Sequence, residues 1–591
     1  MDRKKIISTL EFVEKLLYFM TVPAALYFVT ENFVAGFNGT WLTIMASIGL
    51  YEIFAFALLF VTESGKAALY IEGFLSFIWM LVNSYLMKWR SSPLVPWDFY
   101  SVKTAMSVAD EYSFVPDIRQ VIGIVLFVVI GFFIYRFVKL DIRSIRISRR
   151  MMGFFASAFA LSGWIMMIIH GVFPLYDAGY NQNLGAAFNG SIVNFIYRIK
   201  DIQVVPPKGY SDDEAEKILS EYETKEEKKE DPANIIVIMC EAFSDPAVIG
   251  DVGADKDYIP FIRTMLNGAE NTKSGMLNVS VIGGNTVNTE WEFLTGNTTR
   301  FIPSGTLPYQ QYINDKTDLS YSLPAMLNKE GYQTISLHPY WASGYRRNAV
   351  YKMMGFQKSL FMDDFKDPEK VRNYISDKSL FERIVEEYEN KEPGKPLFEF
   401  AVTMQNHAFY SDQDEGLLEN EKQGIHYTDT GKFSIKPDIK VKATNAESLE
   451  TYLTLEHITD GDLKNLIDYF DKENEKTVIV FFGDHQPAKS VTEPVVKKEG
   501  IQEEDYFKVP FFVHANYDID EEDGLDISPN FLGGKTIETA NARKTSYQRF
   551  LDDVEAENPV ISVARGSNET NERMKKYRIV EHYLVFEKQN S

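Results

Sequence analysis

The chain has 591 residues, with 61 Lys and Arg against 83 Asp and Glu and a formal net charge of −22. This acidic balance argues against nucleic acid as a main partner, and the single cysteine, Cys240, excludes an intrachain disulfide and a cysteine-rich zinc site. Residues 1–200 hold 17 basic and 13 acidic residues, whereas residues 201–591 hold 44 and 70. An apolar, slightly basic first part therefore precedes an acidic, water-soluble remainder.

The first part contains five apolar stretches, at about residues 16–34, 41–61, 68–86, 121–138 and 151–172. Each is close to the roughly 20 residues that a helix needs to cross a bilayer. We therefore predict a transmembrane domain of five helices over residues 1–175, surrounded by the lipid bilayer. The first stretch lacks a convincing small-residue cleavage site, so we expect it to be retained rather than removed as a signal peptide.

The basic residues near the predicted spans are unevenly divided between the two sides of the membrane. With the N-terminus inside, eleven lie on the inner side and four on the outer side. The inner set is Arg3, Lys4, Lys5, Lys15, Lys66, Arg136, Lys139, Arg143, Arg146, Arg149 and Arg150; the outer set is Lys88, Arg90, Lys103 and Arg119. Because basic residues concentrate on the cytoplasmic side, we predict a multi-pass cell-membrane protein whose C-terminal domain is extracellular.

Residues 176–232 are predicted to be a partly helical linker, and residues 233–591 an α/β domain. Short β-branched or apolar runs at 235–239, 334–337, 397–402 and 477–482 are typical of buried strands. Helical patterns lie between them at 323–330, 377–388 and 446–471. Strands that alternate with helices predict a central, mostly parallel sheet flanked by helices on both faces.

Polar residues follow two of the predicted strands directly. Glu241 follows the first run, and Asp484 and His485 follow the run at 477–482 after one glycine. The carboxyl ends of parallel strands meet at one edge of the sheet, where sites form. Two carboxylates and an imidazole at that edge can bind one divalent cation. An acid at a strand end is also common as a helix cap or turn former, and this alternative stays open.

A Gly-Gly turn at residues 283–284 precedes a predicted helix start at Thr286. The N–H groups and the positive dipole end of a helix stabilise an anion there. A threonine hydroxyl becomes a nucleophile only when a base or a metal lowers its pKa. The residue types alone also allow Thr286 to be a simple N-cap.

The order of these motifs resembles the lipoteichoic acid synthase and phosphoglycerol transferase family of the sulfatase and alkaline phosphatase superfamily. The motifs are Glu241, Gly-Gly-Asn-Thr at 283–286 followed by Glu-Trp-Glu-Phe-Leu-Thr-Gly at 290–296, and Gly-Asp-His-Gln-Pro at 483–487. The resemblance spans nearly the whole chain and implies a sulfatase-like catalytic domain over residues 233–591. It implies that Glu241, Thr286, Asp484 and His485 bind the metal, that Thr286 is the nucleophile, and that the metal is Mn²⁺, with Mg²⁺ possible.

The resemblance also implies substrate contacts from a His, an aromatic residue and an Arg within residues 338–351. These positions are His338, Tyr345 and Arg347, and His407 follows a later strand. The family usually has Trp where this chain has Tyr345.

The expected function is metal-dependent transfer of glycerophosphate from phosphatidylglycerol to a lipoteichoic-acid-type polymer, through a phosphothreonine intermediate. A phosphoethanolamine transferase is an alternative, although its outer domain usually carries disulfides. A membrane-anchored phosphodiesterase or phosphatase would keep the same site and use water as acceptor. A true sulfatase is excluded because Cys240 is followed by Glu-Ala-Phe, which does not fit the C/S-x-P-x-R motif. A non-catalytic protein that binds glycerophosphate polymer is disfavoured because all four metal-site positions are filled.

Overall fold

The computed structural model describes residues 3–34, 36, 38–90, 93–101, 116, 118–177, 182–202, 204–224, 231–303, 306–314, 316–411, 435–561 and 571–588. The described residues up to 202 form one compact unit, and those from 204 onward form a second. Of the predicted linker, the helices Gln182–Asn189 and Ser191–Arg198 belong to the first unit, and the helix Asp212–Ser220 belongs to the second.

The first unit is built on five long helices, which confirms the prediction of five apolar helices. They are Arg3–Asn32, Trp41–Thr62, Gly65–Arg90, Ile118–Phe137 and Ile147–Ile169. Each contains 20 or more residues that are apolar enough to cross a bilayer. Large apolar side chains on their outer surfaces are exposed, with Phe159 reaching 83%. Such a surface is stable only in contact with lipid or another apolar partner.

The second unit contains twelve strands among its described residues. They are β1 (Asn234–Cys240), β2 (Gly250–Asp251), β3 (Thr272–Asn278), β4 (Gln333–Leu337), β5 (Lys358–Leu360), β6 (Lys370–Val371), β7 (Tyr374–Ile375), β8 (Leu397–Val402), β9 (Thr477–Gly483), β10 (Val496–Lys497), β11 (Lys508–Ala515) and β12 (Glu522–Ile527). Eight of them form one sheet in the order β12-β3-β11-β9-β1-β8-β4-β5. Within it, only the pairs β11–β3 and β11–β9 are antiparallel. The predicted mostly parallel sheet is confirmed.

Helices cover this sheet, as the alternating pattern predicts. The α-helices of the unit, after Asp212–Ser220, are Pro260–Met265, Thr286–Thr295, Pro308–Gln311, Leu323–Glu330, Arg347–Met353, Asp377–Glu389, Glu447–Phe470, Pro529–Thr539, Ser546–Glu557 and Glu572–His582. All seven residues of β1 are buried. Val237 packs into the apolar cluster that contains Trp291, and Ile238 packs into the cluster on the opposite face that contains Leu453. A strand buried on both faces needs an unbroken apolar run, which explains its sequence.

The strand register determines where the polar residues emerge. Cys240, the last residue of β1, lies opposite Gly483, the last residue of the parallel strand β9. The next residues of both strands therefore leave the sheet together at its carboxyl edge. Gly483 is required there because a Cβ atom would lie 1.9 Å from the carbonyl oxygen of Phe243.

We expect Gly483→Ala to destabilise the second unit, because the added methyl group meets a backbone oxygen that cannot rotate away. Overpacking of this kind costs about 1–3 kcal/mol, so the melting temperature of the purified chain should fall. The matched control is Gly461→Ala in the helix Glu447–Phe470, where a Cβ atom meets nothing within 4 Å. That change should be neutral or stabilise by about 0.5–1 kcal/mol. Equal melting temperatures for the two variants would contradict the close approach at Gly483.

Candidate active site

Three potential metal ligands meet at the carboxyl edge of the sheet. Glu241, Asp484 and His485 each offer one ligand atom, and these atoms all lie within 4.8 Å of one another. The Nε2 atom of His485 lies 3.2 Å from Oδ2 of Asp484 and 3.7 Å from Oε1 of Glu241. All three side chains are buried. The pairing of β1 with β9 brings together residues that lie more than two hundred positions apart in the chain.

The unsatisfied atoms of this cluster fit a divalent cation. Oδ2 of Asp484 and Nε2 of His485 are buried and have no hydrogen-bond partner. Nδ1 of His485 lies 2.9 Å from the carbonyl oxygen of Gln486, so it donates there and leaves the lone pair of Nε2 in the site. Burial, and then the charge of Glu241, raises the pKa of Asp484 well above its usual value. A bound cation would relieve this concentration of negative charge.

Thr286 is the first residue of the helix Thr286–Thr295 and lies against the cluster. Its Oγ1 donates a hydrogen bond to Oε2 of Glu241 at 2.9 Å. The turn before it needs glycine, because Gly283 has a φ of +68° and its Cβ atom would lie 3.0 Å from Cα of Ala488. The N–H of Gly283 donates to the carbonyl oxygen of Gln486 at 2.8 Å. The segment after His485 therefore holds the turn that precedes Thr286.

Arg347 lies in a second buried group, between an acid and a histidine. Its Nε and Nη2 atoms lie 3.1 and 3.0 Å from Oε2 of Glu290. Its Nη1 atom lies 3.0 Å from Nε2 of His338, whose Nδ1 atom lies 3.1 Å from the carbonyl oxygen of Val402. His338 therefore donates through Nδ1 and accepts through Nε2. Burial, and then the charge of Arg347, lowers the pKa of His338 well below its usual value, which keeps the ring neutral.

Tyr345 packs against the guanidinium group of Arg347. The guanidinium carbon of Arg347 lies 5.3 Å from the centre of its ring. Burial raises the pKa of Tyr345 to about 12; Arg347 acts against this shift, whereas Glu241 and Asp484 add to it. Both Tyr345 and Arg346 have left-handed backbone conformations, with φ of 51° and 63°. Nη1 of Arg346 donates hydrogen bonds to the backbone carbonyl oxygens of Tyr309 and Ile313. These bonds hold the side chain of Arg346 against the backbone.

His407 lies in the loop that follows β8. Its Nδ1 atom lies 2.8 Å from the carbonyl oxygen of Ala408 and 3.2 Å from the hydroxyl oxygen of Tyr374. The ring of Tyr374 lies 6.3 Å from that of Tyr340, which in turn lies 6.2 Å from that of His338. Arg372 donates to the carbonyl oxygens of Gln405, His407 and Phe409. The half-buried guanidinium group of Arg372 therefore holds the loop that carries His407.

The structure thus brings Glu241, Thr286, Asp484 and His485 together. It also brings together His338, Arg347 and Tyr345. Two neighbouring residues were missed by sequence reasoning. Glu290 lies within the Glu-Trp-Glu motif that supported the family resemblance, but nothing local indicates that it pairs with Arg347. Arg372 has no sequence signal, because its partners are backbone carbonyl groups more than thirty residues away.

Comparisons with known proteins agree with this architecture. The sulfatase family model matches residues 233–541, so the chain belongs to the sulfatase family. A Rhizobium meliloti protein whose name refers to cyclic β-1,2-glucan modification is 26% identical over 584 residues, which cover 92% of this chain and 86% of that protein. Lipoteichoic acid synthase of Staphylococcus aureus is 27% identical over 258 residues, which cover 43% of this chain and 35% of that protein.

Among solved structures, the phosphoglycerol transferase GacH of Streptococcus pyogenes, in complex with sn-glycerol-1-phosphate, has a similar fold. The TM-score is 0.53 at 21% identity, and the match covers 65% of this chain and 95% of that chain. The match to the sulfatase family model confirms the predicted superfamily, and the similar fold of GacH agrees with it. The five long apolar helices identify the chain as a membrane protein. The buried Cys240 is not one of the potential metal ligands.

We expect the purified chain to bind one divalent ion, and Asp484→Asn to remove most of it. The substitution takes away a ligand charge from a site in which Oδ2 of Asp484 and Nε2 of His485 have no hydrogen-bond partner. The control is Asp377→Asn, which changes a buried acid that hydrogen-bonds to Thr459 outside the cluster. Elemental analysis of both variants checks the expectation. Two ions per chain, or equal metal content in both variants, would contradict a one-metal site at Asp484.

Proposed function

We propose that the chain transfers glycerophosphate from phosphatidylglycerol to a hydroxyl acceptor through a phosphothreonine intermediate on Thr286. The observation that carries the proposal is the hydrogen bond of 2.9 Å from Thr286 Oγ1 to Glu241 Oε2, at the edge of the ligand cluster. A hydroxyl at a helix start, beside a metal site, is placed to attack phosphorus. The similarity to lipoteichoic acid synthase supports glycerophosphate as the transferred group.

Glu241, Thr286, Asp484 and His485 would hold the ion, which we propose to be Mn²⁺ with Mg²⁺ as a substitute. When bound, the ion lowers the pKa of a neighbouring hydroxyl and neutralises charge that develops on phosphoryl oxygens. The protein adds the N–H groups at the start of the helix Thr286–Thr295, which favour negative charge at the same place.

The first half-reaction forms a bond between Thr286 Oγ1 and phosphorus. The bond from phosphorus to the diacylglycerol oxygen breaks, and that oxygen leaves with a proton. Glu241 Oε2 is the acceptor toward which the threonine proton points. His407, whose Nδ1 donates to Ala408, can hold or release a proton at Nε2 for the leaving oxygen. Glycerophosphate then remains on Thr286.

In the second half-reaction an acceptor hydroxyl attacks the same phosphorus atom. The acceptor proton passes to His407, and Thr286 Oγ1 leaves and regains its own proton. Arg347 binds a phosphoryl oxygen through N–H groups that Glu290 and His338 do not occupy. His338 orients this arginine through its Nε2 atom, and Tyr345 borders the glycerol. The products are diacylglycerol and a glycerophosphate ester of the acceptor.

Two acceptors are supported by different observations. The end of a growing glycerophosphate polymer corresponds to a lipoteichoic-acid-type product, as the name of the staphylococcal relative suggests. A hydroxyl of a glucan is the second candidate, because the glucan-modification relative matches 92% of this chain, including the membrane unit. Both acceptors present a primary alcohol to the same phosphorus atom, so the catalytic residues serve either one.

We also propose that the catalytic unit faces the outside of the cell membrane. The support is the count of eleven basic residues on the inner side of the spans against four on the outer side. Phosphatidylglycerol in the outer leaflet and envelope polymers would then both lie on the side of Thr286.

The experiment that tests this function follows phosphatidylglycerol labelled in its glycerol head group, with the metal-loaded full chain. We expect labelled product only when an acceptor is present: lengthened chains with glycerophosphate polymer, or labelled oligosaccharide with a β-glucan. Release of free glycerophosphate at the same rate without acceptor would mean that the protein is a phosphodiesterase. Turnover only with phosphatidylethanolamine would mean that it is a phosphoethanolamine transferase.

We expect Thr286→Ala to lower turnover by at least about 10³-fold, because it removes the attacking oxygen. The fold should survive, since the change removes little buried volume. Thr289→Ala is the matched control in the same helix, because its Oγ1 donates to the carbonyl oxygen of Asp484 and not to Glu241. Activity of Thr286→Ala similar to that of the control would mean that Thr286 is only a helix cap.

We expect protease added to intact, wall-stripped cells to degrade residues 204–591. The reason is the outward orientation that the basic residues predict. Lysed cells supply the control for protease sensitivity. Full protection of this unit in sealed cells would contradict the orientation and place the catalytic unit in the cytoplasm.

A further inference from the structure

We propose that Glu290 determines which phosphate esters the site accepts: its carboxylate cancels the charge of Arg347, so the pocket favours singly charged phosphodiesters over doubly charged phosphomonoesters. This inference rests on the proposed function, since it assumes that Arg347 meets the phosphate. It assigns a role to a residue that makes no contact with the reacting atoms.

The contact between Glu290 and Arg347 is a buried ion pair. Glu290 is 0% exposed and Arg347 is 3% exposed. Oε2 of Glu290 accepts a hydrogen bond from Nε of Arg347 at 3.1 Å and lies 3.0 Å from its Nη2 atom. Among the described residues, Glu290 is the one acid within ion-pair distance of Arg347. At this depth water screens the pair weakly, so each charge acts strongly on the other.

The other neighbours of Arg347 are neutral and cannot replace Glu290. His338 accepts from Arg347 through Nε2, and burial lowers its pKa well below the usual value. Burial, and then the charge of Glu290, raises the pKa of Tyr309 and of Tyr351 well above the usual value, so both hydroxyls stay protonated. The Glu290–Arg347 pair therefore contributes donor groups to the pocket without contributing net charge.

This neutrality matters because the two kinds of phosphate ester differ in charge. A phosphodiester such as the lipid head group carries one negative charge at any physiological pH. A phosphomonoester has a second pKa near 6 and carries close to two at pH 8. A pocket with one more positive charge would attract the second charge of the monoester, so it would bind free glycerophosphate more tightly relative to the diester. With Glu290 in place, Arg347 orients a phosphoryl oxygen of the diester without binding free glycerophosphate tightly.

The test measures the dissociation constants of two probes at pH 8 by calorimetry, with the metal-loaded full chain. The probes are glycerol phosphate, a monoester, and glycerophosphoglycerol, a diester. Glu290→Gln keeps an acceptor oxygen for Arg347 but removes the charge. One unit charge a few ångströms from the phosphate should shift the ratio of the two constants by roughly 10-fold or more in favour of glycerol phosphate. An unchanged ratio would overturn the proposal.

The matched control is Glu292→Gln, on the same helix and equally buried. Glu292 accepts from Ser280 and from Thr299 and makes no contact with Arg347. We expect the ratio of the two constants in this variant to equal that of the unmodified chain. A shift as large as that of Glu290→Gln would show that any change of charge on this helix alters the ratio, and would overturn the specific role of Glu290.

A second pair of variants keeps the inference testable if Glu290→Gln fails to fold with an uncompensated arginine. Arg347→Gln should shift the ratio toward the diester by a similar factor, because it leaves Glu290 unpaired. The double variant Glu290→Gln, Arg347→Gln restores neutrality and should return the ratio to within about threefold of the unmodified chain. Equal ratios of the two constants in Arg347→Gln and in the double variant would overturn the proposal. If neither probe binds the unmodified chain, the proposed function itself fails, and the inference fails with it.

Discussion

The pairing of two parallel strands, β1 with β9, is the constraint on which the active site depends. Cys240 at the end of β1 lies opposite Gly483 at the end of β9. Glu241, which follows β1, therefore lies beside Asp484 and His485, which follow β9. The backbone N–H of Ala242 donates to Oδ1 of Asp484 at 2.7 Å, which ties the two strand ends together just above the sheet. A shift of one residue in this register would turn every side chain of β1 to the opposite face and separate the ligands. The apolar side chains on both faces of β1 prevent such a shift.

The site built on this edge has two halves with different electrostatic character. One half concentrates the carboxylates of Glu241 and Asp484, and it is complete only with a cation. The other half contains the paired charges of Glu290 and Arg347 and the neutral ring of His338. We propose that a phosphodiester with one negative charge binds to both halves, with a cation on one side and a neutral set of donors on the other. Tyr345 belongs to this second half, because its ring lies against the guanidinium group of Arg347.

The sequence predicted the parts of the structure that local patterns determine. The run at 397–402 coincides with β8, and the run at 477–482 lacks one residue of β9, because an unbroken apolar run is sufficient evidence for a strand buried on both faces. The strands β3, β11 and β12 were not predicted. The strand β3, Thr-Lys-Ser-Gly-Met-Leu-Asn, has few β-branched residues and a central glycine. It is held as a strand by its partners on both sides, a tertiary effect that local propensity does not show.

In the site, too, local patterns predicted some features, whereas tertiary contacts determine others. Glu241, Asp484 and His485 could be predicted to converge, because they follow strands and parallel strands share an edge. Their meeting with Thr286 depended on the family resemblance, since a threonine after a glycine turn is equally suited to be a cap. The pairing of Glu290 with Arg347 could not be predicted, because 57 positions separate the two residues and a helix and a left-handed turn set their approach.

The most direct test of the account is the covalent state of Thr286. The metal-loaded chain is incubated with phosphatidylglycerol in the absence of acceptor, quenched in acid, digested, and examined by mass spectrometry. We expect the peptide that contains Thr286 to carry a glycerophosphate group, and we expect addition of acceptor to remove it. An unmodified Thr286 peptide under conditions in which diacylglycerol accumulates would contradict the phosphothreonine mechanism and would indicate direct attack by the acceptor or by water.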